Sequence, residues 1–490
     1  MLGAVISGAL TALTMPGFFL GFIVWISLIP FFQSLRNAGP LSAFFKGFLY
    51  GYTLIVISLF WLFPTLSRNV PFVLRTFPGW MGGLVFFLLC AVEALFFGMT
   101  GLFYSFMNRL RRRSSLHSAI IFASSYALFE YLRSVGDLGF TGGRLSDALH
   151  WNTGYILTLS IWGTLGLTWL VAFTNAMIAL WFENIRRRKI WKLLLVVCAL
   201  NGVGMIIASF LPPQVLDDGR LKVYAVQTNV PQSVKYSRNP LSSLKTVEKF
   251  LMEAPEDVDV VVFPEATFMM DVKHHYLGSL LIAKVRESGL PVILGFPLKL
   301  EGRSFNHVEL IDPSTGFTGE GYSKRRLSPF AEFLPYPRIF RIFRFLKFLE
   351  YFESGKDSTP VNLNDANVGI MICFESYFTE IAREVVKEGA DLLITVTNDG
   401  WFESKIALKQ HFVQSGFRAV EYGRYILQVA NTGITGLWDK YGRPVNIIRP
   451  NIEDAYTLTI PCSRGKTVYY YLGRYIPVAL VLVLLLFLII

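Results

Sequence analysis

Three residues in the second half of the chain could together break and remake an acyl bond. They are Glu265 in VDVVVFPEATF, Lys324 in GYSKRRLSPFAEFLP and Cys373 in NVGIMICFES. A thiolate is a strong nucleophile, and a cysteine becomes one when a base or a positive charge favours its ionisation. A carboxylate beside the thiol can take its proton and later return it to a leaving group. An ammonium nearby can stabilise the oxyanion of a tetrahedral intermediate. The chemistry would be acyl transfer through a thioester. Each residue also has a plain structural reading. A cysteine ending a core strand is usually a small buried apolar residue, a glutamate after a strand is usually a solvated cap, and a lysine beside two arginines is usually surface. No local pattern brings the three together, so the fold must. The six histidines (117, 150, 274, 275, 307, 411) show no metal-ligand spacing, and no metal or cofactor is expected. Cys90 and Cys198 fall in apolar stretches. A disulfide between Cys373 and Cys462 would consume the nucleophile.

The elements that must position these residues begin after Pro212-Pro213, where short apolar runs alternate with turn residues. Strands are expected at 222–227, 258–263, 292–296, 307–311, 368–372, 392–397, 426–430, 434–439 and 455–460. Helices fit at 241–253, 276–288, 378–388 and 405–422. Alternating strands and helices predict a layered α/β domain, and about 255 residues suffice for a substantial core.

The rest of the chain is of another kind. Of 490 residues, 53% are hydrophobic and only 17% charged, with a net charge of +11 and a mean hydropathy of +0.45. Residues 1–211 hold 15 Lys+Arg and 5 Asp+Glu, and residues 212–490 hold 31 and 30. The excess charge therefore belongs to the apolar part, which argues against nucleic-acid binding by the α/β part. An apolar stretch of about 18 or more residues can cross a bilayer core as a helix. Candidate spans are 2–14, 17–34, 42–64, 80–107, 116–134, 156–182, 191–211 and 469–490. The first is short, and would be re-entrant or paired tightly with the second across Pro16-Gly17. The N-terminus lacks the basic region and the A-x-A site of a cleavable signal.

With the N-terminus inside, the inside loops carry Arg36, Lys46, Arg109, Arg111, Arg112, Arg113, Arg186, Arg187, Arg188, Lys189 and Lys192. The outside loops before 211 carry Arg68, Arg75, Arg133 and Arg144. The positive-inside rule then places both termini inside and 212–468 outside. The domain plan is 1–211 as N-terminal transmembrane helices, 212–468 as an exported catalytic domain, and 469–490 as a C-terminal transmembrane helix.

Glu265, Lys324 and Cys373, in this order and with these flanks, resemble the Glu-Lys-Cys triad of the nitrilase (carbon–nitrogen hydrolase) superfamily. Further matches are Asn398-Asp399-Gly400-Trp401-Phe402, Gln410-His411, Arg418-Ala419, Glu421-x-Gly423-Arg424 and Asn431-Thr432-Gly433. Within that superfamily, the helical N-terminal part, the catalytic domain and the final span resemble the apolipoprotein N-acyltransferase family. The resemblance implies a fold of about eight transmembrane helices in an α-helical membrane bundle, plus an exported α/β nitrilase-like αββα sandwich. It implies a ping-pong reaction without cofactor. Cys373 would take an acyl chain from a phospholipid, and the α-amine of the diacylglyceryl-cysteine of an apolipoprotein would accept it.

Glu265 is carried over as general base and acid, Lys324 as oxyanion stabiliser, and Glu332 and Glu375 as supporting acids. Tyr236, Asn306, Phe374, Trp401 and Phe402 are carried over as substrate-binding positions. The chain departs from the family pattern at Phe374, where Tyr is frequent, at Tyr236, where Trp is common, and at Ala331, in place of a Gly. Glu130-Tyr131-Leu132-Arg133 matches a membrane-part signature, whereas Gly139-Phe140-Thr141-Gly142-Gly143 lacks the usual Pro-Trp. The setting expected is a bacterial inner membrane, as a monomer with the catalytic domain facing the periplasm or cell exterior.

Two other functions compete. A membrane-anchored nitrilase-type amidase would use water as acceptor. A transporter or assembly factor with a vestigial domain would more often show paired intramembrane ionisable groups, and Glu93 within a span is unexplained. The run RIFRIFRFLKFLEYF at 338–352 has basic residues every third position, which makes no helical stripe. Its aromatic and basic content suits a mobile arm on a membrane interface, and equally a surface helix packed on the domain.

Overall fold

The computed structural model describes residues 1–74, 78–110, 114–183, 202, 206, 216–236, 239–340 and 352–489. The chain divides into two units. One is Met1–Pro71, Pro78–Pro213 and Thr467–Ile490; the other is Phe72–Phe77 and Gln214–Lys466.

The first unit is helical. Its principal helices are α1 (Leu2–Ala12), α2 (Gly21–Leu35), α3 (Pro40–Ser58), α4 (Gly79–Leu110), α5 (Ser115–Leu132) and α6 (Leu159–Glu183), with the chain's last helix at Val468–Ile489. Among the described residues, α3, α4, α6 and Val468–Ile489 are long and apolar enough to cross a membrane. Helix α1 has 11 residues, about half the roughly 20 needed for a span. It is tied to α2 by Phe31 N donating to Ser7 Oγ (2.8 Å) and Thr11 to Ser27 (3.1 Å). The span expected at 42–64 is one helix only as far as Ser58, and Leu62–Pro64 follows as a separate helical turn. Helix α5 is an interior helix, with Ser118, Ser124, Ser125 and Glu130 all buried. The last helix lays Leu480, Leu484 and Phe487 inward, one stripe at helical spacing. Apart from Gly202 and Ile206, the span expected at 191–211 lies outside the described residues, as do Cys198 and the basic residues Arg75, Arg111 to Arg113, Arg186 to Lys189 and Lys192.

Glu93 finds its partner here. Arg133 Nη1 donates to Glu93 Oε2 at 3.1 Å and to the Gly142 carbonyl at 3.0 Å, with its guanidinium over the Phe97 ring. Close by, Glu130 accepts from Thr168 Oγ1 (2.6 Å) and Leu145 N (3.3 Å).

The second unit is a sandwich of two six-stranded sheets. The strands are β1 (Leu216–Gln227), β2 (Val260–Val262), β3 (Val292–Leu300), β4 (Arg303–Asp312), β5 (Gly316–Ser323), β6 (Val361–Leu363), β7 (Ala366–Ile372), β8 (Leu392–Thr397), β9 (Ile426–Ala430), β10 (Thr435–Trp438), β11 (Pro444–Ile448) and β12 (Asp454–Arg464). The orders are β12-β1-β2-β3-β4-β5 and β11-β10-β9-β8-β7-β6. In each sheet three central strands run parallel: β1, β2 and β3, and β7, β8 and β9. Strands buried on both faces read as near-continuous apolar runs, as in VVV of β2 and LLITVT of β8.

Alternation decides the layers. Leu221, Val223 and Ala225 of β1 point into the space between the sheets, where they meet Ile370, Ile372, Ile394, Val396, Leu427 and Val429. Tyr224 and Val226 point the other way, under helices α7 (Pro240–Glu253) and α8 (Tyr276–Ser288). Helices α9 (Thr379–Lys387) and α10 (Lys405–Tyr422) cover the second sheet. Each fully buried Val, Leu or Ile contributes about 1.5–3 kcal/mol relative to exposure, so this double layering holds the strand ends rigidly. Strands β5, β6 and β11 were not expected. β5 is rich in Gly and polar residues, β6 has three residues, and β11 is an exposed edge, so pairing rather than propensity defines them.

Candidate active site

Parallel strands of an open sheet converge at their carboxyl ends, the usual place for a ligand crevice. Glu265 follows β2 by a Phe263-Pro264 step, Cys373 directly follows β7, Asn398 directly follows β8, and Asn431 directly follows β9. Lys324 directly follows β5. Its backbone N–H donates to the Asn306 carbonyl at 2.8 Å, which continues the β4–β5 ladder and delivers the side chain to the same end.

The structure thus brings Glu265 and Lys324 together. Lys324 Nζ lies 3.5 Å from Glu265 Oε1 and 2.8 Å from Glu332 Oε2, and its residue is only 1% exposed. Burial disfavours the ammonium, but the Glu332 and Glu265 carboxylates outweigh it and hold Lys324 above its ordinary value. The reverse holds for Glu332: burial would raise it, and Lys324 pulls it below the ordinary carboxylate range. Ser328 N donates to Glu332 Oε2 at 2.7 Å. Asn306 spends its amide on both acids, donating to Glu265 Oε1 and Glu332 Oε1 at 2.7 Å each.

The other oxygen of Glu265 accepts from Asn398 N at 2.9 Å. Asn398 is itself held by Asn431 Nδ2 on its Oδ1 (2.9 Å), and donates to Gln232 Oε1 (3.2 Å). Lys235 caps the Glu265 turn through the carbonyl of Ala266 (3.0 Å) and Asn398 Oδ1 (3.2 Å). Burial pushes the Lys235 ammonium down to about 7. The turn passes so close to β3 that a Cβ at Gly295 would sit 2.8 Å from Ala266 N; glycine is needed there.

Cys373 sits at φ +51°, in the left-handed region that a side chain rarely adopts, and opens the short helical turn Cys373–Tyr377. Burial and then the Glu265 carboxylate push its thiol well above the ordinary value, while Lys324 pulls it down. Glu375 braces the turn. It is fully buried, and accepts from Ile372 N (2.8 Å), Tyr322 OH (2.8 Å), Arg325 N (2.7 Å) and Arg326 N (3.0 Å). Burial raises its carboxyl. Glu375 therefore joins the Cys373 turn to the Lys324 loop.

Among the expected substrate-binding positions, Tyr236 and Trp401 are in ring contact, with centroids 5.5 Å apart. Phe374 packs on Phe378 at 5.0 Å and on Tyr377 at 5.8 Å. Phe402 N donates to the Asp399 carbonyl. Cys373 and Cys462 are thiols and form no disulfide. The run at 338–352 begins with a helical turn at Pro337–Phe340, and residues 341–351 lie outside the described residues.

Among the described residues, one cluster has the donor types of a metal site: Cys373, Asp399 and His411, with ligand atoms within 4.8 Å of one another. Its imidazole is already committed. His411 Nδ1 is 2.7 Å from Asp399 Oδ1, and Nε2 is 3.1 Å from the Cys373 carbonyl oxygen, an acceptor only. Neither nitrogen faces open space, so the set is built for hydrogen bonding. Sequence reasoning placed Asn398, Asp399 and His411 in motifs and gave them no role. A polar residue directly ending an apolar parallel strand is the signal that would have found Asn398.

Two family models match the chain. A carbon-nitrogen hydrolase model covers residues 222–465, and an apolipoprotein N-acyltransferase N-terminal domain model covers residues 7–177. An apolipoprotein N-acyltransferase of Thermotoga maritima is 42% identical over 481 residues, spanning 96% of this chain and 89% of the relative. Apolipoprotein N-acyltransferase 1 of Treponema denticola is 26% identical, over 99% and 95%. A Methylococcus capsulatus apolipoprotein N-acyltransferase is 27% identical, over 98% and 94%. With a carbon–nitrogen hydrolase sandwich in one unit and apolar helices in the other, the chain belongs to the apolipoprotein N-acyltransferase family.

Proposed function

We propose that the protein moves an acyl chain from a phospholipid, through a thioester on Cys373, to the α-amine of a diacylglyceryl-cysteine on an apolipoprotein. The observation that carries this reading is that Lys324 Nζ lies 3.5 Å from Glu265 Oε1, with Glu375 tying the Lys324 loop to the Cys373 turn, in a chain whose other unit holds bilayer-length apolar helices. Glu265 takes the Cys373 proton as sulfur attacks the ester carbonyl. The carbonyl electrons pass to oxygen, which the Lys324 ammonium stabilises. Collapse expels the lysophospholipid alkoxide, and Glu265 returns the proton to it.

In the second half, the acceptor amine attacks the thioester carbonyl. Glu265 removes the amine proton, the C–S bond breaks, and the departing sulfur regains a proton. Glu332 holds Lys324 in place, Glu375 holds the nucleophile turn, and Asn306 fixes both acids. Tyr236, Phe374, Trp401 and Phe402 are the aromatic residues that meet the lipid groups.

The bias of Lys and Arg along residues 1–211 supports a multi-pass protein of the bacterial inner membrane with about eight spans. Both termini would be cytoplasmic, and the catalytic unit (212–468) would face the periplasm or cell exterior. Transfer to an amine is favoured over transfer to water, because both proposed substrates are bilayer-anchored and the chain carries its own apolar helices. We read the acting species as a monomer.

The test is to incubate purified protein with phospholipid and a diacylated lipopeptide and weigh the products. N-acylated lipopeptide together with lysophospholipid is expected. Hydrolysis without transfer would favour the amidase reading.

A further inference from the structure

Helix α10 grips the nucleophile turn at both ends. His411 Nε2 lies 3.1 Å from the carbonyl oxygen of Cys373, the first residue of the turn. Arg418 Nη1 donates to the carbonyl of Tyr377, the last, at 3.2 Å. Seven residues separate His411 from Arg418, two helical turns, so both project from one face. The Tyr377 ring also stacks on the His411 imidazole at 5.7 Å and 10°. His411, Arg418 and Tyr377 are buried, and Cys373 is partly buried.

The hydrogen-bond partners constrain the protonation of His411. A carbonyl can only accept, so Nε2 carries a hydrogen. Nδ1 meets Asp399 Oδ1 at 2.7 Å, and that oxygen also accepts from Thr397 Oγ1 at 3.0 Å. An ionised Asp399 then requires a hydrogen on Nδ1 as well, which makes the ring an imidazolium. Burial alone would push His411 down; Asp399 outweighs it and holds it up. The pocket for this carboxylate is fitted: a Cβ at Gly433 would overlap Asp399 Oδ2. The charged and titratable groups facing the imidazole are the carboxylates of Asp399 and Glu265 and the neutral Cys373 thiol, with Lys324 acting on the same thiol.

We infer that His411 is a positioning residue for Cys373: as an imidazolium held by Asp399, it fixes the carbonyl of the strained elbow and cancels the Asp399 charge that would oppose a thiolate. This rests on Cys373 being the nucleophile. Without His411, the elbow loses its carbonyl donor and Asp399 stands uncompensated within 4.8 Å of the sulfur. Gln at 411 can still reach the carbonyl but carries no charge.

The experiment follows alkylation of Cys373 by iodoacetamide against pH in the full-length protein, resolved from Cys90, Cys198 and Cys462 by peptide mass. Acyl-enzyme formation from phospholipid is measured alongside. In His411→Leu the pH midpoint of alkylation should rise by about one unit, and acyl-enzyme formation should slow at least about tenfold. His411→Gln should recover part of the acylation rate yet keep a raised midpoint. Adding Asp399→Asn to either variant should bring the midpoint back toward that of the parent protein. A merely structural histidine would not show that charge-specific reversal. Midpoints equal to the parent's in His411→Gln and His411→Leu, with undiminished acylation, would overturn the inference. Absence of an acyl-enzyme on Cys373 in the parent protein would instead overturn the reading of the nucleophile.

Discussion

Lys324 is held more closely by Glu332, at 2.8 Å, than by Glu265, at 3.5 Å. The ammonium therefore has its own counter-ion, and Glu265 is positioned mainly by neutral donors, Asn306 Nδ2 and Asn398 N. That division suits two different tasks. In the proposed reaction, Lys324 would keep its charge for an oxyanion while Glu265, held by neutral donors, would take up a proton.

Glu265→Gln preserves shape and one acceptor but removes the proposed base. General-base catalysis is worth about 10²- to 10⁴-fold, so acyl-enzyme formation should fall by about that factor, with a modest fall in melting temperature because one of the two buried donors loses its partner. Stopped-time mass spectrometry on the intact protein would measure it. A fall below about tenfold would assign the base elsewhere.

Glu332→Gln should act on stability as well as on rate. Removing one partner of a buried ion pair costs about 3–5 kcal/mol. Glu332 is lowered in the fold, so its contribution is full above the ordinary carboxylate value of about 4.3 and is lost as pH falls through its folded value. Lys324 is raised, so its contribution is full below about 10.4 and is lost only above its folded value. The gap in Tm between parent and variant should be wide at pH 7 and close toward pH 3. An equal gap at both pH values would show that the pair does not stabilise through charge.

In the helical unit, Glu93→Ala should leave Arg133 as a buried unpaired cation, costing about 3–5 kcal/mol. The double variant Glu93→Gln, Arg133→Gln should cost less than the sum of the single variants, because neither group is then left charged alone. Thermal unfolding in detergent reads both. Additive losses would mean that the 3.1 Å contact carries no coupling.

The strands that carry the site were legible because burial on both faces writes them as apolar runs. The bounds expected for β8, β9, α8 and α10 match those observed. The candidate residues were legible as types at strand ends. Their meeting was not, since Glu265 and Lys324 follow strands of one sheet and Cys373 a strand of the other, and only the packing of the two sheets brings those strands together. The supporting shell was least legible. Asn306, Glu332 and Glu375 were named only through the family resemblance, Asn306 as a substrate-binding position, and His411 sits inside a helix; the bonds they make to carboxylates and to backbone groups are encoded by no local spacing. Strand β5, which aims Lys324, was missed because its Gly-rich sequence has little strand propensity of its own.

The central claim is that Cys373 carries the acyl group. Protein incubated with phospholipid alone should gain the mass of one acyl chain on the peptide containing Cys373, removable by hydroxylamine, and Cys373→Ala should show none. Acylation at another residue, or an acylated Cys373→Ala protein still able to transfer, would contradict the account.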